Sequence, residues 1–275
     1  MTQRNLVKYL SYLFLIVFSL IVIFPYYWMV ASAVRHNVDQ FNIPPKLFVW
    51  RGTLDNFTWV LTKTRIPQYL LNTFIISTSA TFMCLAASVP AGYGLARFNF
   101  KGKKTVSSGV LLIKLLPQTA ALIPLYMLMV RLRMLDTHFG LAFLHLLPMI
   151  PYCIWMLRGF IRTIPVSIEE AALMDGCNKI QMFVYVLIPT MASGIFAVGI
   201  YAFMLSWEEF LFAYTFTSSK AKPISVGLAL FMGENITQWG AIMAAAVLMG
   251  IPMIIFFLAA QKSFLQGIVG GAIKG

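Results

Sequence analysis

The chain has 275 residues, of which 60% are hydrophobic and only 11% are charged. This composition is too apolar for a protein that faces water on all sides, and it predicts an integral membrane protein. The formal net charge of +12 suits Lys and Arg at the cytoplasmic ends of loops rather than a nucleic-acid partner, and six spans of about 20 residues leave no room for a separate catalytic domain.

Six long stretches with few charges are predicted to cross the membrane as helices. The first follows Arg4 and Lys8 and is longer than the apolar core of about 7 to 15 residues in a cleavable signal peptide, so we expect it to be retained. The predicted spans cover residues 10–33, 68–96, 106–130, 138–158, 181–206 and 238–261. The predicted fold class is therefore all-α, a polytopic membrane protein with a single transmembrane domain over residues 1–275.

An even number of spans places both termini on one side of the membrane. If that side is the cytoplasm, eleven Lys and Arg lie inside and nine outside, a small excess in the direction of the positive-inside rule. Arg97 to Lys104 holds four of the inner bases in one tight turn. We expect both termini to be cytoplasmic.

Three groups of residues that resemble chemical sites do not have the required spacing. The three cysteines and three histidines form neither a disulfide framework nor a set of metal ligands. Glu208 and Glu209 are adjacent, so on a helix they point about 100° apart and cannot flank one bond as paired catalytic carboxylates. The basic segment 100–105 lacks the pattern of a phosphate-binding loop. We therefore expect no catalytic residue, metal or nucleotide site in this chain, which is not an enzyme.

The segment 162–181 is predicted to be the one long inner loop, and it has a defined local structure. Ser167 and Glu170 have the spacing of a capping box that starts a short helix, and Gly176 suits its end. Asn178 and Gln181 form a second predicted capping box, which starts a helix that enters the membrane and bends at Pro189. The prediction is a small helix-turn-helix that faces the cytoplasm.

One face of the first helix in this loop suits contact with another protein. Ile168, Ala171, Ala172 and Asp175 share that face by their spacing, and its alanines allow close approach. The alternative is an amphipathic helix that lies on lipid, but the adjacent acids Glu169 and Glu170 disfavour an anionic membrane surface.

The loop resembles the EAA loop of ABC-importer permeases. The matching residues are Glu170-Ala171-Ala172, then Gly176, then 186–189, with conservative departures at Val186 and Ile188 and with the family's spacing intact. Segments 96–102, 206–211 and 270–275 are similar to the carbohydrate-uptake, MalG-like branch of that family. Glu208 and Glu209 depart from that branch's usual residues.

The resemblance implies a MetI/MalG-like fold in a bacterial or archaeal cytoplasmic membrane. It also implies four partners: a second, homologous permease, a cytoplasmic ATPase dimer that binds ATP and magnesium, an extracytoplasmic solute-binding protein, and a sugar. Glu170 would meet a basic residue of the ATPase. The residues that this resemblance assigns to ATPase coupling are Ser167, Glu169, Glu170, Ala171, Ala172, Asp175 and Gly176, with a second contact by the tail residues Gly271, Lys274 and Gly275.

Two patches are candidates for the solute pathway. Lys114 is the only charge inside a predicted span, with Gln118 on the same face; it either faces the pathway or, as we favour, extends to the interface. The second patch mixes rings and carboxylates, which suits a sugar but also an interfacial aromatic belt. It comprises Trp207, Glu208, Glu209 and Phe210, followed by Phe212 and Tyr214.

The predicted function is the import of a sugar by alternating access, driven by ATP hydrolysis in a partner. Import of a non-sugar solute by the same kind of complex is the alternative. A secondary transporter is less favoured because the spans contain no central carboxylate and no clear internal repeat.

Overall fold

The computed structural model of the protein describes residues 3–44, 46–115, 117–234 and 238–272, and every regular element in these ranges is a helix. Four helices are long and apolar enough to cross a membrane, and the number rises to six if each of two bent helix pairs is one span. The all-α fold class is thus confirmed, and the predicted six spans agree with the larger number. The described chain divides into two compact units, Met1–Gln68 with Gly227–Ile251, and Tyr69–Val226 with Pro252–Gly275.

The first unit contains α1 (Gln3–Ala33), α2 (Asp55–Lys63), most of α12 (Ile224–Glu234) and the start of α13 (Trp239–Ala272). The buried Asn56 side chain donates hydrogen bonds to the carbonyl oxygens of Ala33 and Arg35, each at 2.9 Å. A Cβ on Gly240 would lie 2.5 Å from the Asn56 Nδ2 atom, so only glycine lets α13 approach α2 this closely. The short helices α2 and α12 were not predicted from the sequence.

The second unit contains most of the membrane-spanning chain. Its helices in chain order are α3 (Ile66–Arg97), α4 (Lys103–Leu112), α5 (Gln118–Arg131), α6 (His138–Thr163), α7 (Val166–Met174), α8 (Lys179–Gln181), α9 (Ile188–Thr190), α10 (Ala192–Trp207) and α11 (Leu211–Phe216). A 3-10 turn, Ile113–Leu115, follows α4, and a π-helical segment, Met182–Leu187, joins α8 to α9.

Helix α6 is the most buried span, with 56% of its apolar window inside the protein. Side chains four residues apart lie on one face of a helix, and α6 buries one residue at each such step. These are Leu141, His145, Met149, Cys153, Leu157 and Ile161, each no more than 2% exposed. This face packs on α10, so these two helices form the centre of the second unit.

Two predicted spans are broken rather than continuous. The span predicted over 106–130 stops after Leu115 and restarts at Gln118, because Pro117 has no N–H to continue the helix. The span predicted over 181–206 bends by 75° between α9 and α10. The bend lies at Met191, two residues after the proline at which the sequence predicted it.

Candidate functional site

The candidate site for coupling is the helix α7 and the turn that follows it. Pro165 has extended dihedral angles and occupies the N-cap position, so Val166 is the first helical residue and Ser167 the second. The predicted capping box of Ser167 and Glu170 is therefore wrong, since a side chain already inside the helix does not cap it. The structure forms no side-chain cap at this end.

The other end of the loop follows the prediction. Gly176 has a φ of +91°, a left-handed conformation that glycine adopts without strain, and the Cys177 N–H donates to the Ala172 carbonyl oxygen at 3.1 Å. The side chain of Asn178 accepts hydrogen bonds from Ile180 and Gln181, and the Gln181 side chain accepts one from the Asn178 N–H. This capping box is confirmed, and it fixes the direction in which the chain returns to the membrane.

Glu169 holds α7 against the end of α3. Its Oε1 atom lies 2.6 Å from Arg97 Nε, and its Oε2 atom accepts a hydrogen bond of 3.1 Å from Tyr93. Arg97 also donates to the Ile164 carbonyl oxygen at 2.7 Å. The side chains of Arg97 and Glu169 are only 12% and 7% exposed, so this is a buried ion pair with its hydrogen bonds satisfied.

The inward direction of Glu169 divides the predicted coupling residues into two groups. Glu169 and Ala172 are buried against the chain's own body, whereas the other members of the predicted face, Ile168, Ala171 and Asp175, are exposed. The opposite side of α7 is exposed along a row with the spacing three, four and seven. We call this row the docking stripe: Ser167, Glu170, Ala171 and Met174.

Met174 was not predicted from the sequence to belong to the coupling surface. Its side chain is 89% exposed at the end of the docking stripe. Methionine is flexible and polarisable and adapts well to the surface of a partner. Asp175 and Gly176 are exposed beside it. Of the predicted tail contacts, Gly271 lies in the last turn of α13, and Lys274 and Gly275 lie outside the described residues.

The residues of the predicted pathway patch after α10 differ in their exposure. Trp207 is buried, whereas Glu208 and Phe210 are exposed and the Phe210 ring stacks on Tyr214 with 5.5 Å between centroids. The Glu209 carboxylate accepts hydrogen bonds from the N–H groups of Phe212 and Ala213 at 2.8 and 3.0 Å. It thereby stabilises the start of α11, and this leaves Glu208 and Phe210 as the accessible members.

Behind Glu209 lies a buried histidine, His145, which no local sequence pattern connects with it. The Nδ1 atom of His145 is 2.7 Å from Ser206 Oγ. Its Nε2 atom is 3.3 Å from Glu209 Oε2, an electrostatic neighbour rather than an aligned hydrogen bond. His145 is 1% and Ser206 is 3% exposed, and the Glu209 side chain is 9% exposed, so this group lies inside the helix bundle.

The other two predicted pathway residues, Lys114 and Gln118, lie beside one cavity. Lys114 and Gln118 line the same cavity of about 120 Å³, at the break between α4 and α5. The Lys114 ammonium lies over the ring of Tyr152, 4.3 Å from its centroid.

At the end of α3 remote from Arg97, the loop 218–221 is held by a single carboxylate. Asp136 accepts hydrogen bonds from the backbone N–H groups of four successive residues, 218–221, at 3.0 to 3.1 Å. Partial burial alone would raise the pKa of Asp136, but the N–H donors of Lys220 and Ser218 outweigh it and hold that pKa well below its ordinary value. Asn72 near the start of α3 donates to the carbonyl oxygens of Lys220 and Lys222.

Comparison with known proteins shows the family to which this chain belongs. Residues 88–269 match the family described as the binding-protein-dependent transport system inner membrane component, and the chain belongs to that family. It is thus an inner-membrane transport subunit and not an enzyme, and the resemblance to ABC-importer permeases is confirmed.

Two relatives and one solved structure illustrate the likeness over the full length. A probable ABC transporter permease protein of Sinorhizobium fredii is 33% identical, over 99% of this chain and 98% of its own. The trehalose/maltose transport system permease protein MalG of Thermococcus litoralis is 30% identical, over 100% of both chains. A chain of a bacterial ABC transporter that imports the acidic polysaccharide alginate has the same fold, with a TM-score of 0.81 at 21% identity over 96% of this chain and 98% of its own.

Proposed function

We propose that this chain is a membrane-spanning subunit of an ATP-driven carbohydrate importer and that α7 transmits the work of a cytoplasmic ATPase to it. The observation that carries the proposal is the docking stripe, a free helical face on an element whose other face is fixed by a buried ion pair. A rigid, protruding helix can pass on a displacement that a mobile loop would absorb.

The charge distribution supports a cytoplasmic position for α7. Arg97 at the end of α3 contacts Glu169 of α7 directly, so α7 lies at the membrane face where the bases of Arg97 to Lys104 are concentrated. Compact groups of Lys and Arg favour the cytoplasmic side. With six spans, both termini are then cytoplasmic as well.

Carbohydrate as the solute class is supported by the printed names of similar proteins. One full-length relative transports trehalose and maltose, and the chain with the same fold belongs to an importer of alginate. The accessible Glu208, Phe210 and Tyr214 add carboxylate and ring surfaces of the kind that sugars contact.

The partners follow from the proposed role. The family is binding-protein-dependent, which supports an extracytoplasmic solute-binding protein. We further propose a second, homologous permease and two copies of the ATPase, which would bind ATP and magnesium. The exposed Glu170 would pair with a basic residue of the ATPase surface, and Met174 would fill an apolar part of it.

Substitution on the docking stripe tests the proposal. Glu170→Lys reverses one exposed charge, and Met174→Asp removes the apolar contact, so each is expected to reduce ATPase co-purification with the tagged permease and sugar-stimulated ATP hydrolysis. Asp55→Lys is the matched control, since Asp55 is an exposed acid of α2, outside the stripe. Unchanged co-purification and hydrolysis in both stripe variants would contradict the proposed docking.

A further inference from the structure

Lys114 lies within a predicted span, away from both of its ends. Its ammonium lies 4.3 Å from the centre of the Tyr152 ring. Within the span predicted over 138–158, Tyr152 is fourteen residues from one end and six from the other, which at 1.5 Å per residue is about 21 and 9 Å. The ammonium therefore lies inside the predicted hydrocarbon region, over a ring of α6 rather than extended to the interface.

The surroundings leave the charge of Lys114 without an acidic partner. Among the described residues no carboxylate pairs with its ammonium, which lies over the face of Tyr152. A cation over an aromatic ring is stabilised only in part. An ionisable group inside a membrane is otherwise retained where it lines a cavity that admits water or an anion.

A cavity of the required kind is present beside it. It has a volume of about 120 Å³ and lies where α4 and α5 separate, with Lys114, Gln118 and Pro117 on one side and Leu147 and Pro148 of α6 on the other. At about 30 Å³ per water molecule, it holds roughly four waters. That is too small for a whole sugar ring, but it accommodates one carboxylate or sulfonate group with a bound water.

The groups around the cavity suit the two parts of an acidic sugar. The Lys114 ammonium and the amide NH₂ of Gln118 are hydrogen-bond donors. Tyr152 is 40% exposed, and Tyr201 packs edge-on against it with 6.0 Å between centroids. Lys114 and Gln118 thus line the cavity as donors for an anion, and the Tyr152 ring, in contact with the same ammonium, offers an aromatic surface for the apolar face of a sugar.

We propose that Lys114 and Gln118, beside Tyr152, form a binding site within the membrane-spanning region for the anionic substituent of an acidic carbohydrate, such as the carboxylate of a uronic acid. The inference rests on the proposed function as a carbohydrate importer and specifies its solute class. Discontinuous helices commonly form solute sites at this depth.

The test uses the complete importer, assembled from this chain with its cognate permease, ATPase and binding protein. A thermal-shift screen of the binding protein against uronate, sulfonated and neutral oligosaccharides identifies the solute, and the expected result is stabilisation by an acidic one. Uptake of that sugar into proteoliposomes is then compared for the wild type, Lys114→Met, Lys114→Arg and Lys104→Gln. Lys114→Met is expected to reduce uptake at subsaturating sugar by about 10- to 100-fold, the size of one lost charge-assisted hydrogen bond.

The variants separate a binding role from a structural one. Lys114→Arg keeps the charge and is expected to retain most uptake. Lys104→Gln removes an exposed base of α4, the helix that precedes Lys114, and is expected to have no effect. Lys114→Met removes a charge from the membrane, so it is expected to insert and assemble at least as well as the wild type. A binding protein that takes only neutral sugars, or full uptake of an acidic sugar by Lys114→Met, would overturn the site. Absence of any ATP-dependent sugar uptake by the wild-type importer would instead overturn the proposed function itself.

Discussion

The buried pair of Arg97 and Glu169 is predicted to keep α7 in place, and its removal gives a measurable effect. Glu169→Leu leaves the Arg97 guanidinium, only 12% exposed, without its counter-charge. Loss of one partner of a buried ion pair costs about 3 to 5 kcal/mol. Since about 1.4 kcal/mol changes an equilibrium constant tenfold, the opening of α7 is expected to become roughly 100- to 4,000-fold more favourable.

Hydrogen exchange of the α7 backbone amides, measured by mass spectrometry in detergent or nanodiscs, reports this opening. The amides of Ala171 to Met174 are expected to exchange faster in Glu169→Leu by that factor. Glu170→Gln is the matched control, because the neighbouring Glu170 is exposed and its substitution is expected to leave exchange unchanged.

A double substitution isolates the charge. Replacing a buried ion pair by apolar residues of similar size is often close to neutral, so Arg97→Met combined with Glu169→Leu is expected to recover most of the protection. Wild-type exchange in Glu169→Leu alone would refute the reasoning. A double variant that exchanges as fast as the single one would show that the uncompensated charge is not the cause.

Three further predictions concern the same unit. Because the folded-state pKa of Asp136 is lowered, its stabilisation of the loop 218–221 is fully present above the unfolded pKa of about 3.9 and is lost progressively as pH falls from there towards the lower folded-state pKa. Proteolysis within 218–221 should therefore increase in the wild type as pH falls below about 4, and Asp136→Asn should be susceptible at every pH. Glu209→Gln should lower the free energy of unfolding by about 1.5 to 3 kcal/mol because it weakens hydrogen bonds to a charged group. Glu208→Gln should change that free energy by less than about 0.5 kcal/mol, so equal melting temperatures of the two variants would contradict this. Gly140→Ala would place a Cβ against the Met134 carbonyl oxygen and should destabilise the protein by about 1 to 3 kcal/mol. Gly159→Ala in the same helix meets nothing within 4 Å and should be neutral or slightly stabilising. An equal loss of stability in both variants would argue against close packing at Gly140.

The features that could be predicted from the sequence depend on local patterns. Apolar length gives the spans, and the Asn178 cap depends on residues three positions apart. The Ser167 cap was wrong because Pro165, two residues earlier, already has the conformation that precedes a helix. Both breaks in the spans lie near prolines, yet the sequence did not distinguish a bend from a full interruption.

The rest depends on contacts between distant residues. Two adjacent acids, Glu169 and Glu170, are equivalent in a local pattern, and only the position of Arg97, 72 residues away, decides that the first faces inward. Asp136 reaches N–H groups 82 to 85 residues further along the chain. Such pairings join segments that are distant in the chain, and no short window of sequence contains both partners.

The central claim is that this chain moves a carbohydrate only when a partner hydrolyses ATP. The most direct measurement is uptake of the binding protein's sugar into proteoliposomes that contain the assembled importer, with either a wild-type or a hydrolysis-deficient ATPase. An ATP-driven importer is expected to show uptake that requires ATP and is abolished by the deficient ATPase. Uptake that continues at the full rate with the deficient ATPase would contradict the account and favour a secondary transporter.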